Sequence, residues 1–214
     1  MTDTILFDLD GTLLDTLDDL WASVNYSLAH NNMPLRSKEE VRRFLGNGAK
    51  RLIYQSLPKD KTSTHFDSTY NCFKQYYAQH STDMTHPYPG VLDMLSELKS
   101  RGFHTAIVSN KPDFAVQKLY KLFFQQYIDV AIGQREGLNR KPSADMVNRA
   151  LLYLGSSLSS SVYVGDSEVD IQTAHNSRLP CIIVSWRFRD RSFLLKQGAK
   201  TIIDVPSELS ILLK

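Results

Sequence analysis

Cysteine is scarce: only Cys72 and Cys181 occur in 214 residues, and they form no CxxC pair. That argues against a disulfide framework or a thiolate metal site, and for two small buried apolar residues in a reducing compartment. An excess of charge is lacking too, with 25 Lys and Arg against 23 Asp and Glu. Nothing in that balance asks for a nucleic-acid or membrane partner. No apolar run reaches the length of a bilayer span. The opening twenty residues hold six aspartates and neither Lys nor Arg, the reverse of a secretory leader. The six histidines show no ligand spacing and read as structural or exposed. Repeats and low-complexity tracts are absent, and the serine-rich stretch 156–161 is a polar loop between two elements. The expectation is a soluble cytoplasmic protein, monomer or homodimer, with no nucleic-acid or membrane partner. What remains is an ordinary globular composition, 42% hydrophobic and 22% charged, in a chain long enough for one or two domains.

The most informative stretch is Asp8-Leu9-Asp10-Gly11-Thr12, preceded by Ile5-Leu6-Phe7. An apolar run that ends in two carboxylates, a glycine and a hydroxyl reads as the end of a buried strand, where ligands bind in open α/β sheets. Asp8 and Asp10 would share a face of a straight strand. Like charges so placed repel unless a cation neutralises them or one takes a proton. The pair therefore suggests a metal site, an acid/base pair or both; the bland alternative is a loop with an Asp-Gly turn.

Helical periodicity follows from Thr16 to about Asn32, with Leu17, Leu20, Trp21, Val24 and Leu28 three and four apart. Ser37-Lys38-Glu39-Glu40 reads as a capping box opening a short helix, and Gly46-Asn47-Gly48 as a turn. Further helices are predicted over Ala49 to Leu57 and Thr62 to Ser81, and His86-Pro87-Tyr88-Pro89-Gly90 as a linker. Beyond it strand and helix signals alternate. Strands are predicted at Thr105–Val108, Ile128–Ile132, Val162–Val164, Cys181–Val184 and Thr201–Ile203. Helices are predicted at Val91–Arg101, Pro112–Phe124, Ser143–Leu154 (capped by Ser143), Asp170–Ser177 and Ser207–Leu213. Such alternation argues for a parallel sheet covered on both faces. The expected fold class is α/β: a Rossmann-like parallel sheet core from residues 1–14 and 85–214, with an inserted all-helical cap domain over 15–84.

Asp8, Ser109 and Asp166 each follow an apolar run, and Lys141-Pro142 precedes a helix. In a parallel sheet these loops would converge on one edge. Together they supply carboxylates, a hydroxyl beside a backbone N–H, and an ammonium, a set that suits a phosphate ester with a divalent cation. Hard oxygen ligands with few protein contacts favour Mg²⁺, while the hydroxyl, N–H and Lys oppose the charge of the phosphoryl oxygens.

In this order Asp8-Leu9-Asp10-Gly11-Thr12-Leu13, Ser109-Asn110-Lys111, Lys141-Pro142 and Gly165-Asp166-Ser167-Glu168-Val169-Asp170 resemble the motifs of the haloacid dehalogenase-like hydrolases. Within them the chain looks like the phosphoglycolate-phosphatase-like members with a helical cap. The resemblance implies an Mg²⁺-dependent phosphatase acting on a small phosphorylated metabolite. It assigns Asp8 as the nucleophile that forms an aspartyl-phosphate. Asp10 would protonate the leaving oxygen and then serve as base on the hydrolytic water. Mg²⁺ would sit on the Asp8 carboxylate, the backbone carbonyl of Asp10 and the Asp166 carboxylate, with Asp170 supporting the shell directly or through water. Ser109 and the N–H of Asn110 would bind the phosphoryl oxygens, Lys141 would neutralise charge, and Thr12 would orient Asp10. Single members keep plainer readings: Thr12 and Ser167 as helix caps, Asp170 as an i, i+4 partner on a surface helix.

Asp10 argues against carbon–halogen chemistry, because the dehalogenases of this superfamily lack that aspartate and a halide needs no proton. Related phosphoryl-transfer enzymes stay open: a pyrophosphatase, a nucleotidase or a β-phosphoglucomutase. So does a non-catalytic binding protein of the same fold, although all four motifs keep their chemistry. Substrate choice is expected in the cap, where Arg43, Asn47 and Lys50 flank the turn expected to reach the active site. Arg42, Arg43, Lys50 and Arg51 read equally well as solvated helix charges. Tyr76 and Tyr77 mark either cap core or a dimer face. Two departures from relatives stand out: Asn176-Ser177 in place of Ala-Gly, and Trp186-Arg187-Phe188-Arg189 where a glycine often follows the Trp. The second adds bulk and charge near the mouth of the site.

Overall fold

The computed structural model describes residues 2–186 and 188–213, with residues 61–63 described by backbone alone. Arg187, one of the charges in the departing loop, lies outside the described residues. The chain divides into two compact units, Met1–Leu14 with Pro87–Lys214, and Asp15–His86.

In the first unit β1 (Thr4–Phe7) is the central strand. Leu14–Asp15 forms a two-residue strand, β2. The second unit carries α1 (Leu17–His30), α2 (Lys38–Phe44), α3 (Gly48–Ser56) and α4 (Thr62–His80). The chain returns through β3 (His86–Pro87), which pairs with β2. There follow α5 (Val91–Ser100), β4 (His104–Pro112), α6 (Asp113–Leu119), β5 (Val130–Gln134) and α7 (Asp145–Leu154). The rest is β6 (Ser161–Gly165), α8 (Glu168–Asn176), β7 (Cys181–Val184), α9 (Arg191–Lys196), β8 (Thr201–Ile203) and α10 (Ser207–Leu212). Among the described residues no helix is long and apolar enough to cross a membrane.

The large sheet has six strands in the order β5-β4-β1-β6-β7-β8, and its pairs are parallel. Strand alternation sends neighbouring residues to opposite cores. Ile5, Phe7, Ile107, Val162 and Val164 join α5, α6 and α10 on one face. Leu6, Ala106, Val108, Tyr163 and Ile132 join α7 and Ala174 of α8 on the other. Burial on both faces is why these strands read as short continuous apolar runs. From β1 the chain moves to β4 and β5 on one side and then crosses to β6 on the other side of β1, so the switch point lies at β1, and the C-terminal ends of β1, β4 and β6 lie side by side.

Several boundaries differ from the sequence pattern. Strand β4 continues through Ser109-Asn110-Lys111 to Pro112, with its register against β5 shifting between Val108 and Pro112. The helix predicted over Pro112–Phe124 is α6 followed by a π turn at Tyr120–Phe124. Strand β5 lies two residues beyond the predicted Ile128–Ile132. Helix α7 starts at Asp145 with Ala144 at its N-cap; the Ser143 hydroxyl donates to the Asp145 carboxylate at 2.7 Å and accepts from the Asp145 amide at 3.3 Å. Helix α8 starts at Glu168, since Ser167 and Asp170 form a cap there.

In the helical unit α1 packs along α4. Tyr77 is buried in its core, and Tyr76 stacks on Tyr26 with centroids 3.9 Å apart. The Ser37–Glu40 capping box is present. Buried Asp19 accepts from the amides of Met84 at 2.9 Å and Thr85 at 2.9 Å, tying α1 to the chain that follows α4.

Candidate active site

The ends of β1, β4 and β6 bring the acidic and basic residues of the motifs together. Asp8 leaves β1 with its amide bonded to the Val164 carbonyl at 2.8 Å. Its Oδ1 accepts from Lys141 Nζ at 2.6 Å. The same ammonium donates to Asp170 Oδ1 at 2.8 Å and to the Tyr163 hydroxyl at 3.0 Å. Tyr163 in turn donates to Asp170 Oδ1 at 3.1 Å. Burial works against the lysine's charge, but the Asp170 and Asp8 carboxylates outweigh it and hold Lys141 well above the usual lysine range. Burial pushes the Asp8 carboxyl up to about 7, with Lys141 pulling the other way and Asp170 adding to the rise.

Asp170 is buried, not a surface i, i+4 partner. Its second oxygen, Oδ2, accepts from the amides of Asp166 at 3.2 Å and Ser167 at 3.1 Å and from Ser167 Oγ at 2.6 Å. Burial alone would raise its pKa; Lys141, Ser167 and Tyr163 outweigh burial and hold it below the usual carboxylate range. Ser167 is both the N-cap residue of α8 and the donor that fixes this carboxylate.

Asp166 is placed differently. It is buried, and its Oδ2 has no hydrogen-bond partner among the described residues. Burial, reinforced by Asp170 and Asp8, raises its pKa well above the ordinary value. Ligand oxygens of Asp8, Asp166 and Asp170 lie within 4.8 Å of one another. Three buried carboxylates against one buried ammonium leave negative charge that a hard divalent cation fits. The donor inventory separates the three: both Asp170 oxygens are taken by protein donors, whereas the orphaned Asp166 oxygen is a ready ligand.

Asp10 stands at the edge of this cluster, and its Oδ1 accepts from Lys111 Nζ at 2.6 Å. The Thr12 hydroxyl, expected to orient Asp10, has no hydrogen-bond partner among the described residues. Its backbone carbonyl instead accepts from Trp186 Nε1 at 3.2 Å. The β4 extension sets the remaining groups. Ser109 Oγ accepts from the Lys111 amide at 3.2 Å. The Asn110 side chain brackets Lys141, donating to its carbonyl at 3.1 Å and accepting from its amide at 2.7 Å. Gly11 has φ +92°, and a Cβ there would lie 2.5 Å from Asp166 Oδ2 and from Phe188 Cδ2, so only glycine fits. Arg189, in the loop after β7, pairs with Glu168 at 3.1 Å.

The cap candidates lie in the helical unit. Arg43 is exposed in the last turn of α2, Asn47 is half-buried at the N-cap of α3, and Lys50 is exposed in the first turn of α3. Two groups at the core site escaped the sequence reading. Lys111 was visible only as part of a motif. Tyr163 sat in an aliphatic strand, where its hydroxyl was the one signal, because a buried Tyr needs a partner for its O–H.

Comparison with known proteins gives a consistent result. The family model described as haloacid dehalogenase-like hydrolase matches residues 5–184. The phosphoglycolate phosphatase of Caulobacter vibrioides is 30% identical over 220 residues, covering 98% of this chain and 92% of its own. That of Nitrosococcus oceani is 28% identical over 214 residues, covering 98% and 95%. A solved protein of Lactobacillus delbrueckii subsp. bulgaricus, provisionally assigned as a phosphoglycolate phosphatase, matches with a TM-score of 0.95 and 35% identity over 100% of this chain and 99% of its own.

Proposed function

The chain belongs to the haloacid dehalogenase-like hydrolases and is a phosphatase of phosphoric monoesters, and we propose that it hydrolyses a small phosphorylated metabolite of the phosphoglycolate kind through an aspartyl-phosphate on Asp8. The observation that carries this reading is the environment of Asp8: one carboxylate oxygen held by Lys141, inside a buried cluster whose Asp166 Oδ2 has no hydrogen-bond partner among the described residues.

The residues divide the work as follows. Asp8 attacks phosphorus, the ester P–O bond breaks, and Asp10 passes a proton to the leaving oxygen, releasing the alcohol. Water then attacks phosphorus, the bond to Asp8 breaks, and the water's proton goes to Asp10. The Ser109 hydroxyl and the Asn110 amide hold the phosphoryl oxygens, and Lys141 opposes their charge. Asn110 also fixes the position of Lys141 through its side chain. Asp8 and Asp166, with the Asp10 carbonyl, would hold Mg²⁺, which would supply charge neutralisation to the phosphoryl group. Asp170 orients Lys141 and the Asp166–Ser167 turn through its hydrogen bonds.

The test is phosphate release from a panel of small esters, phosphoglycolate included, with Mg²⁺ and with EDTA, for wild type and Asp8→Asn. Release that needs Mg²⁺ and vanishes in Asp8→Asn is the expected result. No release from any ester, or full release from Asp8→Asn, overturns the reading. Turnover that needs added sugar bisphosphate while phosphate release stays low would identify a mutase.

A further inference from the structure

The carboxylate assigned to proton transfer is held by a residue that the motif reading left without a task. Lys111 is buried, and its ammonium reaches across the site to Asp10 Oδ1 at 2.6 Å. Thr12, the expected holder, makes no such bond. Lys111 is itself fixed through its backbone. Its amide donates to Ser109 Oγ at 3.2 Å, and it lies in the extension of β4 where the register shifts against β5. Asp10, by contrast, is partly exposed, with 22% of its side chain accessible, so without an anchor its carboxylate has room to turn.

We propose that Lys111 is the positioning residue for Asp10, holding its carboxylate where the leaving oxygen of the ester will lie. This rests on the reading of Asp10 as the group that exchanges the proton. Holding Oδ1 leaves Oδ2 for that exchange: the proton moves from Asp10 to the leaving oxygen as the P–O bond breaks and Asp8 takes the phosphoryl group. One ammonium thereby links the β4 extension, which carries the phosphoryl-binding Ser109, to the loop after β1, which carries the nucleophile. A misplacement of about 1 Å in such a group is enough to lower turnover by about 100-fold.

The test exploits the leaving group. An alkyl ester such as phosphoglycolate departs as an alkoxide and needs a proton. The p-nitrophenolate ion is stable without one, so p-nitrophenyl phosphate bypasses Asp10 in the first step. Lys111→Met and Lys111→Gln are each assayed on both esters, with Asp10→Asn as the reference for loss of the proton donor. The expected result is a loss in kcat/KM, which reports the first phosphoryl transfer, that is larger on the alkyl ester than on the aryl ester by about tenfold or more, following the pattern of Asp10→Asn. Lys111→Gln, which keeps a donor, should recover part of the difference. Equal losses in kcat/KM on the two esters, or no loss on either, overturn the proposal while leaving the phosphatase reading intact. A wild type inactive on both esters overturns that reading and this one with it. Should Lys111→Met fail to fold, Lys111→Gln decides alone: an unchanged ratio of the two rates overturns the proposal.

Discussion

Gly165 and Asp170 compete for one volume: a Cβ at position 165 would land on the Cβ and Cγ of Asp170 and within 2.8 Å of its Oδ2. The strand end must therefore stay bare for the carboxylate to fold back under Lys141. Gly165→Ala should displace Asp170, loosen its bonds to Lys141 and Ser167, and destabilise the protein by about 1–3 kcal/mol, the usual range for overpacking. Urea unfolding measures the stability, and phosphate release from an alkyl ester should fall in parallel. Unchanged values for both would mean that Asp170 has another place to go.

Asp19 closes the helical unit from inside. Its carboxylate accepts from the amides of Met84 and Thr85, and Asp19 and Thr85 are buried. Asp19→Ala should leave these donors unpaired and cost about 1–3 kcal/mol. Asp19→Asn keeps an acceptor and should lose less. Thermal unfolding of the two variants checks the order, and hydrogen exchange at Met84 and Thr85 should quicken in the alanine variant.

The sheet and the residues at its edge were legible because each strand end carries its own chemical signal. Asp8, Ser109 and Asp166 each follow an apolar run, and a parallel sheet leaves such ends on one side. The alternation of Ile5 and Phe7 against Leu6 was not needed to find them, because both faces are buried. What stayed hidden depends on long-range side-chain geometry. Lys111 meets Asp10 across 101 positions, and no local pattern announces that pair. Tyr163 looks like strand core until its hydroxyl is seen between Lys141 and Asp170. Thr12 is the nearer candidate in sequence to orient Asp10, but the bond to the Asp10 carboxylate comes from Lys111. Helix α7 starts two residues after Ser143, whose hydroxyl bonds both the carboxylate and the amide of Asp145.

The two cysteines should differ in reactivity. Burial pushes the Cys181 thiol up to about 12, with Asp170 adding to the rise against Lys141. Burial also raises Cys72, on α4. Thiolate is the reactive form, so at pH 8 Cys181 is about one part in ten thousand thiolate. Iodoacetamide at pH 8 should label Cys72 first and leave Cys181 intact until the protein unfolds. Mass spectrometry of the native and urea-treated protein reads the order directly; early modification of Cys181 would contradict its raised thiol pKa.

Removal of divalent cations should make stability depend on pH in an unusual direction. Asp8 is raised from 3.8 to about 7, and Asp166 is raised well above 3.8, both because burial and neighbouring carboxylates oppose their charge. For Asp8 the folded state binds more protons than the unfolded chain between about pH 4 and 7, and the raised Asp166 acts in the same direction above 3.8. Their contribution is therefore present below the unfolded value and is lost as pH rises through the folded one. Asp170, which is lowered, acts oppositely but only below its ordinary value of 3.8, outside that window. In EDTA the Tm should thus fall between pH 5 and pH 7.5. Added Mg²⁺ should restore it at pH 7.5, by about 2.7 kcal/mol at a hundred times its Kd. Asp166→Asn removes the unpartnered carboxylate, so it should flatten the pH dependence in EDTA and abolish the response to Mg²⁺. A wild type whose Tm in EDTA rises over the same range would show that the carboxylate cluster finds its counter-charge within the protein.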